Sequence, residues 1–137
     1  MTCSVNLRDT NFKESNVQCQ FEFIQTELID DIKHYHYLLH VSYDRMQFEK
    51  EIVFFENEIE SLDINHFTNN SPDFYFYEPD FWFTIFRQDE DELIVYLNFD
   101  SGLIHSNMAT ESGQSVRMNT TVEAFNTFLH DLKTNMK

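Results

Sequence analysis

Strict alternation of apolar and polar residues predicts two β-strands in the first third of the chain. In "VQCQFEFI" the residues that share the apolar side are Val17, Cys19, Phe21 and Phe23. In "HYHYLLHVSY" they are Tyr35, Tyr37, Leu39, Val41 and Tyr43. Both segments are therefore expected to be half-buried strands. The residues between them, "TELIDDIK", indicate an irregular or hairpin connection, and the polar residues 1–16 are expected to begin with a short edge strand.

Helical spacing replaces alternation in "RMQFEKEIVFFENEIESLDI". Apolar residues recur there at intervals of three and four, which places them on one face of a helix: Phe48, Ile52, Phe55, Ile59 and Leu62. Acidic residues occupy the opposite face: Glu49, Glu56, Glu60 and Asp63. Met46 and Phe48 are equally compatible with the end of a strand, and in that case the helix begins nearer Val53.

The second half of the chain again shows strand patterns. "DFYFY" and "FWFTIF" are two aromatic-rich strands on either side of "EPD", where Pro79 favours a bend or an edge. "RQDEDE" predicts a charged turn into a strand with alternating Leu93, Val95, Leu97 and Phe99, and "SVRMNT" predicts the last strand.

The chain closes with a predicted amphipathic helix in "TTVEAFNTFLHDLKTNMK". Thr120 and Glu123 fit a capping box at its start. The apolar stripe consists of Val122, Phe125, Phe128 or Leu129, Leu132 and Met136. We therefore expect an α+β fold in which two amphipathic helices pack on one face of an antiparallel sheet, as one domain over residues 1–137.

Charge is concentrated in the middle of the chain. The formal net charge is -15, and the span from Glu51 to Val116 holds 14 acidic residues and one basic residue, Arg87. Such a field repels nucleic acid and anionic lipid, and it accelerates encounter with a basic partner. Direct nucleic-acid binding is therefore disfavoured, although solubility alone also accounts for an acidic composition.

Cysteine content and hydropathy favour a cytoplasmic protein. Cys3 and Cys19 form neither a CxxC motif nor a disulfide framework, which is usual in a reducing compartment. No apolar run approaches the roughly 18 residues of a membrane span, and the first ten residues lack the pattern of a secretory signal.

The histidines of "HYHYLLH" are the clearest candidate for metal chemistry. His34, His36 and His40 project from one face of the predicted strand, and an HxH pair at this spacing can chelate zinc, iron or copper. The alternative is that they line the solvated face of an amphipathic strand, and we favour this interpretation. A metal-dependent enzyme or small-ligand-binding protein is accordingly the second functional hypothesis.

Other groups of reactive residues provide weaker evidence for a catalytic or metal-binding site. Cys19 lies on the apolar side of its strand, the consecutive acids Asp89–Glu92 lack the spaced ligands of a calcium loop, and Glu78 and Asp80 flank a proline without a visible cleft. Because no catalytic triad signature, P-loop or dinucleotide motif is present, we expect a non-enzymatic protein without a cofactor.

Four segments taken together resemble the WapI-type immunity proteins of bacterial polymorphic toxin systems: "FFENEIESL", "FYFYEPDFWFTI", "LIVYLNF" and "TTVEAFNTFLHDLK". The similarity covers roughly residues 17–135 and consists of hydrophobic spacing together with Glu78–Pro79. It implies a small cytoplasmic protein, a monomer or weak dimer, that binds and blocks a cognate toxin, often a nuclease.

A basic toxin surface would be met by acidic residues and by aromatic anchors. The partner-binding residues expected on this basis are Tyr75, Tyr77, Glu78, Asp80, Trp82, Asp89, Glu90, Asp91 and Glu92. The alternative for the aromatic residues is that all of them belong to the core, and a third possibility for the protein is a structural subunit of a larger complex.

Overall fold

Two four-stranded antiparallel sheets form the framework of the computed structural model, which describes residues 4–77, 81–99 and 115–135. The first sheet contains β1 (Ser4–Arg8), β2 (Gln18–Ile29), β3 (Ile32–Tyr43) and β4 (Met46–Phe55), in that order. The second contains β5 (Asp73–Tyr75), β6 (Phe81–Arg87), β7 (Glu92–Phe99) and β8 (Ser115–Thr121), also in chain order. The helices are α1 (Phe12–Ser15), α2 (Glu56–Ser61) and α3 (Val122–Asn135), with a 3₁₀ turn at Ile64–His66.

Alternation along the strands determines which side chains enter the core. The predicted apolar sides of β2, β3, β6 and β7 are buried or packed against the core, as the pattern indicated. The buried residues of both sheets form one cluster. Phenylalanine rings join the sheets within it: Phe21 lies 6.1 Å from Phe81, and Phe54 lies 4.7 Å from Phe76, between ring centroids.

The long helix α3 completes this core. The ring of Phe128 lies 5.2 Å from Phe21 in the first sheet and 6.5 Å from Phe83 in the second. The predicted stripe is confirmed at Phe125, Phe128, Leu129 and Leu132, whereas Met136 lies outside the described residues. The helix cap differs from the prediction by one residue, because the Thr121 hydroxyl accepts a 3.0 Å hydrogen bond from the Ala124 amide while Thr120 is buried.

The helix predicted across residues 45–64 is wrong for its first half. Residues Met46–Phe55 form β4, which pairs with β3 from Tyr43↔Met46 to His34↔Phe55, and only Glu56–Ser61 is helical. The apolar residues of this segment satisfy both periods, since Ile52 and Phe54 also alternate as strand residues and are buried. Pairing with β3 favours the strand, so the cross-strand partner overrides the helical spacing.

The α+β class and the antiparallel pairing are confirmed, but the sheet is divided into two. The packing of two amphipathic helices on one face is not confirmed, because β4 takes most of the segment assigned to the first helix. Within the described ranges, no helix has both the length and the apolar character needed to cross a membrane.

The strand directions define two ends of the molecule. The hairpin end carries the β2–β3 turn, the end of β4 with α2, and the carboxyl end of α3. The start of β6 lies beside the end of β4, because the Phe76 ring is 4.7 Å from Phe54 and 5.8 Å from Phe81. The opposite end, here called the acidic-turn end, carries the β6–β7 turn at residues 88–91 and the start of α3. This polarity decides which of the predicted site residues are neighbours.

Candidate partner-binding surface

Tyr75 and Trp82 form a stacked pair at the hairpin end. They are directly opposite each other on β5 and β6, and their rings lie 4.7 Å apart with an interplanar angle of 22°. Trp82 is half-buried, whereas 48% of Tyr75 is exposed. The indole therefore supports the tyrosine ring from beneath, and the tyrosine presents its outer surface to solvent.

Tyr77 lies next to this pair and is 68% exposed. Its ring is 5.3 Å from that of Phe55, the last residue of β4, and its backbone N–H donates a 2.6 Å hydrogen bond to Glu58 Oε2. The buried Glu58 carboxylate also accepts a 2.8 Å hydrogen bond at Oε1 from the Phe55 amide. The backbone on both sides of the Phe55–Tyr77 contact is thus fixed by one carboxylate.

We call these four residues, Phe55, Tyr75, Tyr77 and Trp82, the aromatic shelf. A groove of about 210 Å³ lies beside it, between Tyr75, Tyr77 and the α2 residues Asn57 and Glu58. The structure brings together the three predicted aromatic site residues, and it adds Phe55, which the helical pattern had assigned to a core-facing position. Glu78 and Asp80 lie outside the described residues.

The predicted acidic turn has an internal structural role for one of its carboxylates. Asp89 Oδ1 accepts hydrogen bonds from the amides of Asp91, at 2.8 Å, and Glu92, at 2.9 Å. Asp89 therefore shapes the turn, while Glu90 and Asp91 are exposed. The Asp91 carbonyl accepts a 2.9 Å hydrogen bond from the Val122 amide, which anchors the turn to the start of α3.

The aromatic shelf and the acidic turn are at opposite ends of β6. Trp82 is the second residue of that strand, and Asp89 follows its last residue by two. Seven extended residues span roughly 23 Å. The nine predicted site residues therefore do not form one patch, and the turn instead faces a groove of about 530 Å³ lined by Glu90, Glu123 and His130.

The histidines occupy the outer face of the first sheet, as predicted, and two of them lie beside glutamates on neighbouring strands. His36 Nε2 lies 3.3 Å from Glu27 Oε1. His40 lies between two carboxylates, with Nδ1 3.1 Å from Glu49 and Nε2 3.6 Å from Glu22. His34 instead contacts Phe55, with 4.2 Å between ring centroids.

This arrangement separates the histidines chemically. The two nitrogens of His40 face carboxylates on opposite sides of the ring, whereas a chelated metal requires lone pairs that converge. Within the ranges 4–77, 81–99 and 115–135, no group of three or more His, Cys, Asp or Glu side chains is placed so as to hold a metal ion. The outer face of the first sheet instead carries histidine–glutamate pairs between neighbouring strands.

Cys19 is fully buried, and burial raises the pKa of its thiol far above the ordinary value of 9.0. Its thiol is therefore protonated at neutral pH, which is the state of a core residue and not of a nucleophile. This agrees with its position on the apolar side of β2.

The segment "TELIDDIK", expected to be an irregular or hairpin connection, forms the end of β2, a tight turn and the start of β3. β2 and β3 extend beyond the core, and every residue from Ile24 to Lys33 is exposed. This segment includes three apolar side chains next to the turn: Leu28, Ile29 and Ile32. The available signal was the pattern "ELIDDI", in which apolar residues flank two consecutive aspartates.

Comparisons with protein families, with curated proteins and with solved structures found no match to this chain.

Proposed function

We propose that this protein is a toxin-neutralising immunity protein, which binds a basic protein partner in a stoichiometric complex and occludes its working surface. The observation that carries the proposal is the aromatic shelf. Tyr75 and Tyr77 are the most exposed of the aromatic side chains whose burial the structure describes, yet each is supported by a second ring.

Exposed tyrosines on a rigid support are suited to protein recognition. A tyrosine supplies a large contact area with few rotatable bonds, so little side-chain entropy is lost when it is covered. Here part of that entropy is already lost in the free protein, because Trp82 and Phe55 hold the two rings. Aromatic residues of this kind dominate measured interface energies.

The charge of the chain selects the partner. The elements that carry or adjoin the shelf also carry carboxylates, since Glu56 on α2 is half-buried and Glu60 on α2 and Asp73 on β5 are exposed, and the formal net charge is -15. Such a surface attracts a basic protein and repels nucleic acid. Association of two copies through the shelf would oppose like charges, which supports a monomer or a weak dimer as the free state.

The proposal is tested by purifying the tagged chain from its source cells and analysing the same eluate for protein and for metal. The expected result is a basic protein at one-to-one stoichiometry. That protein is then purified, and its affinity is measured by calorimetry for the wild type and for Tyr75→Ala and Tyr77→Ala. Loss of a central tyrosine should weaken binding by about 30-fold, which corresponds to roughly 2 kcal/mol.

Met46→Ala is the matched control, because Met46 is similarly exposed but is the first residue of β4, at the other end of that strand from Phe55. It should change the affinity less than twofold. Equal affinities for the wild type and both tyrosine variants would overturn the role of the shelf. Stoichiometric zinc or iron without a protein partner would overturn the proposal and favour the histidine-bearing face.

A further inference from the structure

The β2–β3 hairpin projects from the protein as a two-stranded ribbon. The described part of β1 pairs with β2 only as far as Glu22, and β4 pairs with β3 only up to His34. Beyond these positions β2 and β3 pair only with each other within the described ranges, as far as the pair Ile29↔Ile32, and at the base of the ribbon the Lys33 amide donates a 3.5 Å hydrogen bond to Glu56 Oε1 of α2. The ribbon therefore lacks the support of neighbouring strands within the described ranges.

The tip of this ribbon is apolar on both faces. Ile29 and Ile32 are directly opposite each other and each is 42% exposed, so they share one face. Leu28, which is 65% exposed, points to the other face because side chains alternate along a strand. A flat surface could cover only one of these faces, whereas a cleft would cover both.

The turn at the tip consists of two aspartates in a backbone conformation that asparagine and glycine adopt more readily. Asp30 and Asp31 have φ angles of 51° and 65°, which is the left-handed region at both central positions of a two-residue turn. Asn-Gly is the preferred sequence for such a turn, and non-glycine residues are disfavoured there. Two adjacent carboxylates thus occupy the most projecting position at a cost in stability, as is common at functional sites.

We propose that the tip of the β2–β3 hairpin inserts into a concave, basic site of the partner protein, where Leu28, Ile29 and Ile32 are buried and Asp30 and Asp31 meet cationic groups. The inference rests on the proposed function, since it names the part of this chain that enters the partner. The tip and the aromatic shelf are adjacent, because Tyr77 contacts Phe55 and Phe55 pairs with His34 near the base of the ribbon.

Charge complementarity determines which occupant the tip fits. Glu27, Asp30 and Asp31 stand beside the apolar residues, with Lys33 as the single basic residue of the ribbon. A second copy of this chain, docked tip to tip, would bring the same carboxylates together. A basic protein would neutralise them.

The test uses a photoreactive amino acid at position 29 of the full chain in its source cells, with position 77 and position 46 as matched sites. The expected result is crosslinking of one basic protein from positions 29 and 77 and none from position 46. The protein identified by mass spectrometry is then purified and titrated with the wild type, with Leu28→Ser/Ile29→Ser, with Asp30→Asn/Asp31→Gly and with Met46→Ser. The first double variant should weaken binding at least 10-fold, and Met46→Ser should change it less than twofold.

The Asp30→Asn/Asp31→Gly variant separates charge from shape, because Asn-Gly keeps the turn. Its loss of affinity should be several-fold at 20 mM salt and should shrink at 500 mM salt. All substituted residues are exposed, so each variant is expected to fold. A thermal unfolding transition measured for each variant verifies this. A charge variant that binds like the wild type at low salt would overturn the electrostatic part of the inference.

The crosslinks distinguish this inference from the proposal on which it rests. Crosslinking from position 77 alone would overturn insertion of the hairpin and leave the shelf as the binding surface. Crosslinking from position 29 to a second copy of this chain would replace the basic partner by a homodimer and overturn the inference. The absence of crosslinks from both positions would overturn the inference and the proposed function together.

Discussion

The buried carboxylate of Glu58 accepts a 2.6 Å hydrogen bond from the backbone amide of Tyr77, nineteen residues further along the chain. The same carboxylate accepts a 2.8 Å hydrogen bond from the Phe55 amide, at the point where β4 ends and α2 begins. One side chain of a six-residue helix therefore links the last residue of the first sheet to the segment that follows β5. The exposed ring of Tyr77 has a defined position because its backbone is held in this way.

Substitution of Glu58 by Gln should destabilise the fold by about 2 to 3 kcal/mol, because charge-assisted bonds to two amides are weakened and an NH₂ group is introduced beside backbone donors. The measurement is the free energy of unfolding in urea, monitored by tryptophan fluorescence. Glu60→Gln is the control, since Glu60 is exposed on the same helix, and it should change the stability by less than about 0.5 kcal/mol. Equal effects of the two substitutions would show that the Glu58 contacts contribute nothing.

Charge reversal in the acidic turn should affect the rate of association with the partner more than the rate of dissociation. Glu90 and Asp91 are exposed and lie at the end of β6 opposite the shelf, so if the shelf is the contact surface they act on the partner only through long-range attraction. Glu90→Lys/Asp91→Lys should slow association several-fold at 20 mM salt, in stopped-flow measurements, with little change at 500 mM salt. Tyr77→Ala should instead accelerate dissociation.

Asp89 must be left intact in that experiment, because its carboxylate caps the amides of Asp91 and Glu92. An Asp89→Lys substitution would change the shape of the turn together with its charge. If Glu90→Lys/Asp91→Lys accelerates dissociation as strongly as Tyr77→Ala does, the turn is itself part of the interface.

Replacement of Asp30-Asp31 by Asn-Gly should stabilise the free protein. Both residues have positive φ, a conformation that glycine adopts without steric cost, and the substitution also removes two adjacent like charges. We expect a gain of about 0.5 to 1 kcal/mol, or a rise of roughly 2 to 5 °C in the midpoint of thermal unfolding. Asp131→Asn, on an exposed part of α3, is the control for loss of charge alone. A lower midpoint for the hairpin variant would contradict a strained turn.

Period-two alternation predicted most of the strands because it records burial directly. Cys19, Phe21, Leu39 and Val41 are buried as their spacing indicated. The pattern failed where two periods coincide, as in β4, since a segment with apolar residues at helical and at strand spacing is decided by its neighbour. Which strand lies beside β4 is determined by the tertiary structure and cannot be read from the local sequence.

The sequence indicated which residue types the candidate surface contains, but not which of these residues lie close together in space. Seven aromatic residues in the stretch 72–83 indicated an aromatic strand pair, and Tyr75 and Tyr77 were expected to be partner-binding residues. The distance between Trp82 and the acidic turn follows from the direction of β6, and the projection of the β2–β3 hairpin follows from where β1 and β4 stop pairing. Both depend on strand register, which one strand alone does not specify.

Cys19 should resist thiol reagents until the protein unfolds. The side chain is fully buried, and burial raises the pKa of the thiol, so neither access nor the reactive thiolate is available in the native state. In a Cys3→Ser background, the rate of reaction with a chromogenic disulfide at pH 8 should be at least 100-fold slower in buffer than in 8 M urea. Rapid labelling in buffer would indicate that β2 opens locally without global unfolding.

The Tyr35 hydroxyl provides a test of the groove between β3, α2 and α3. Tyr35 is buried, and burial raises its pKa above the ordinary value of 10.0, with further contributions from the Glu56 and Glu60 carboxylates. The folded protein therefore retains this proton at a pH at which the unfolded chain releases it. Stability from this group is fully present below about pH 10 and falls as the pH rises further, because the unfolded state then binds fewer protons than the native state.

The free energy of unfolding in urea should decrease more between pH 9 and pH 11 for the wild type than for Tyr35→Phe, which has no phenolic proton. Other tyrosines and lysines titrate in both proteins, so the difference between the two decreases reports Tyr35 alone. Equal decreases would mean that the Tyr35 hydroxyl is solvated in the native state and that the groove beside Glu56 and Glu60 does not exclude its ionised form.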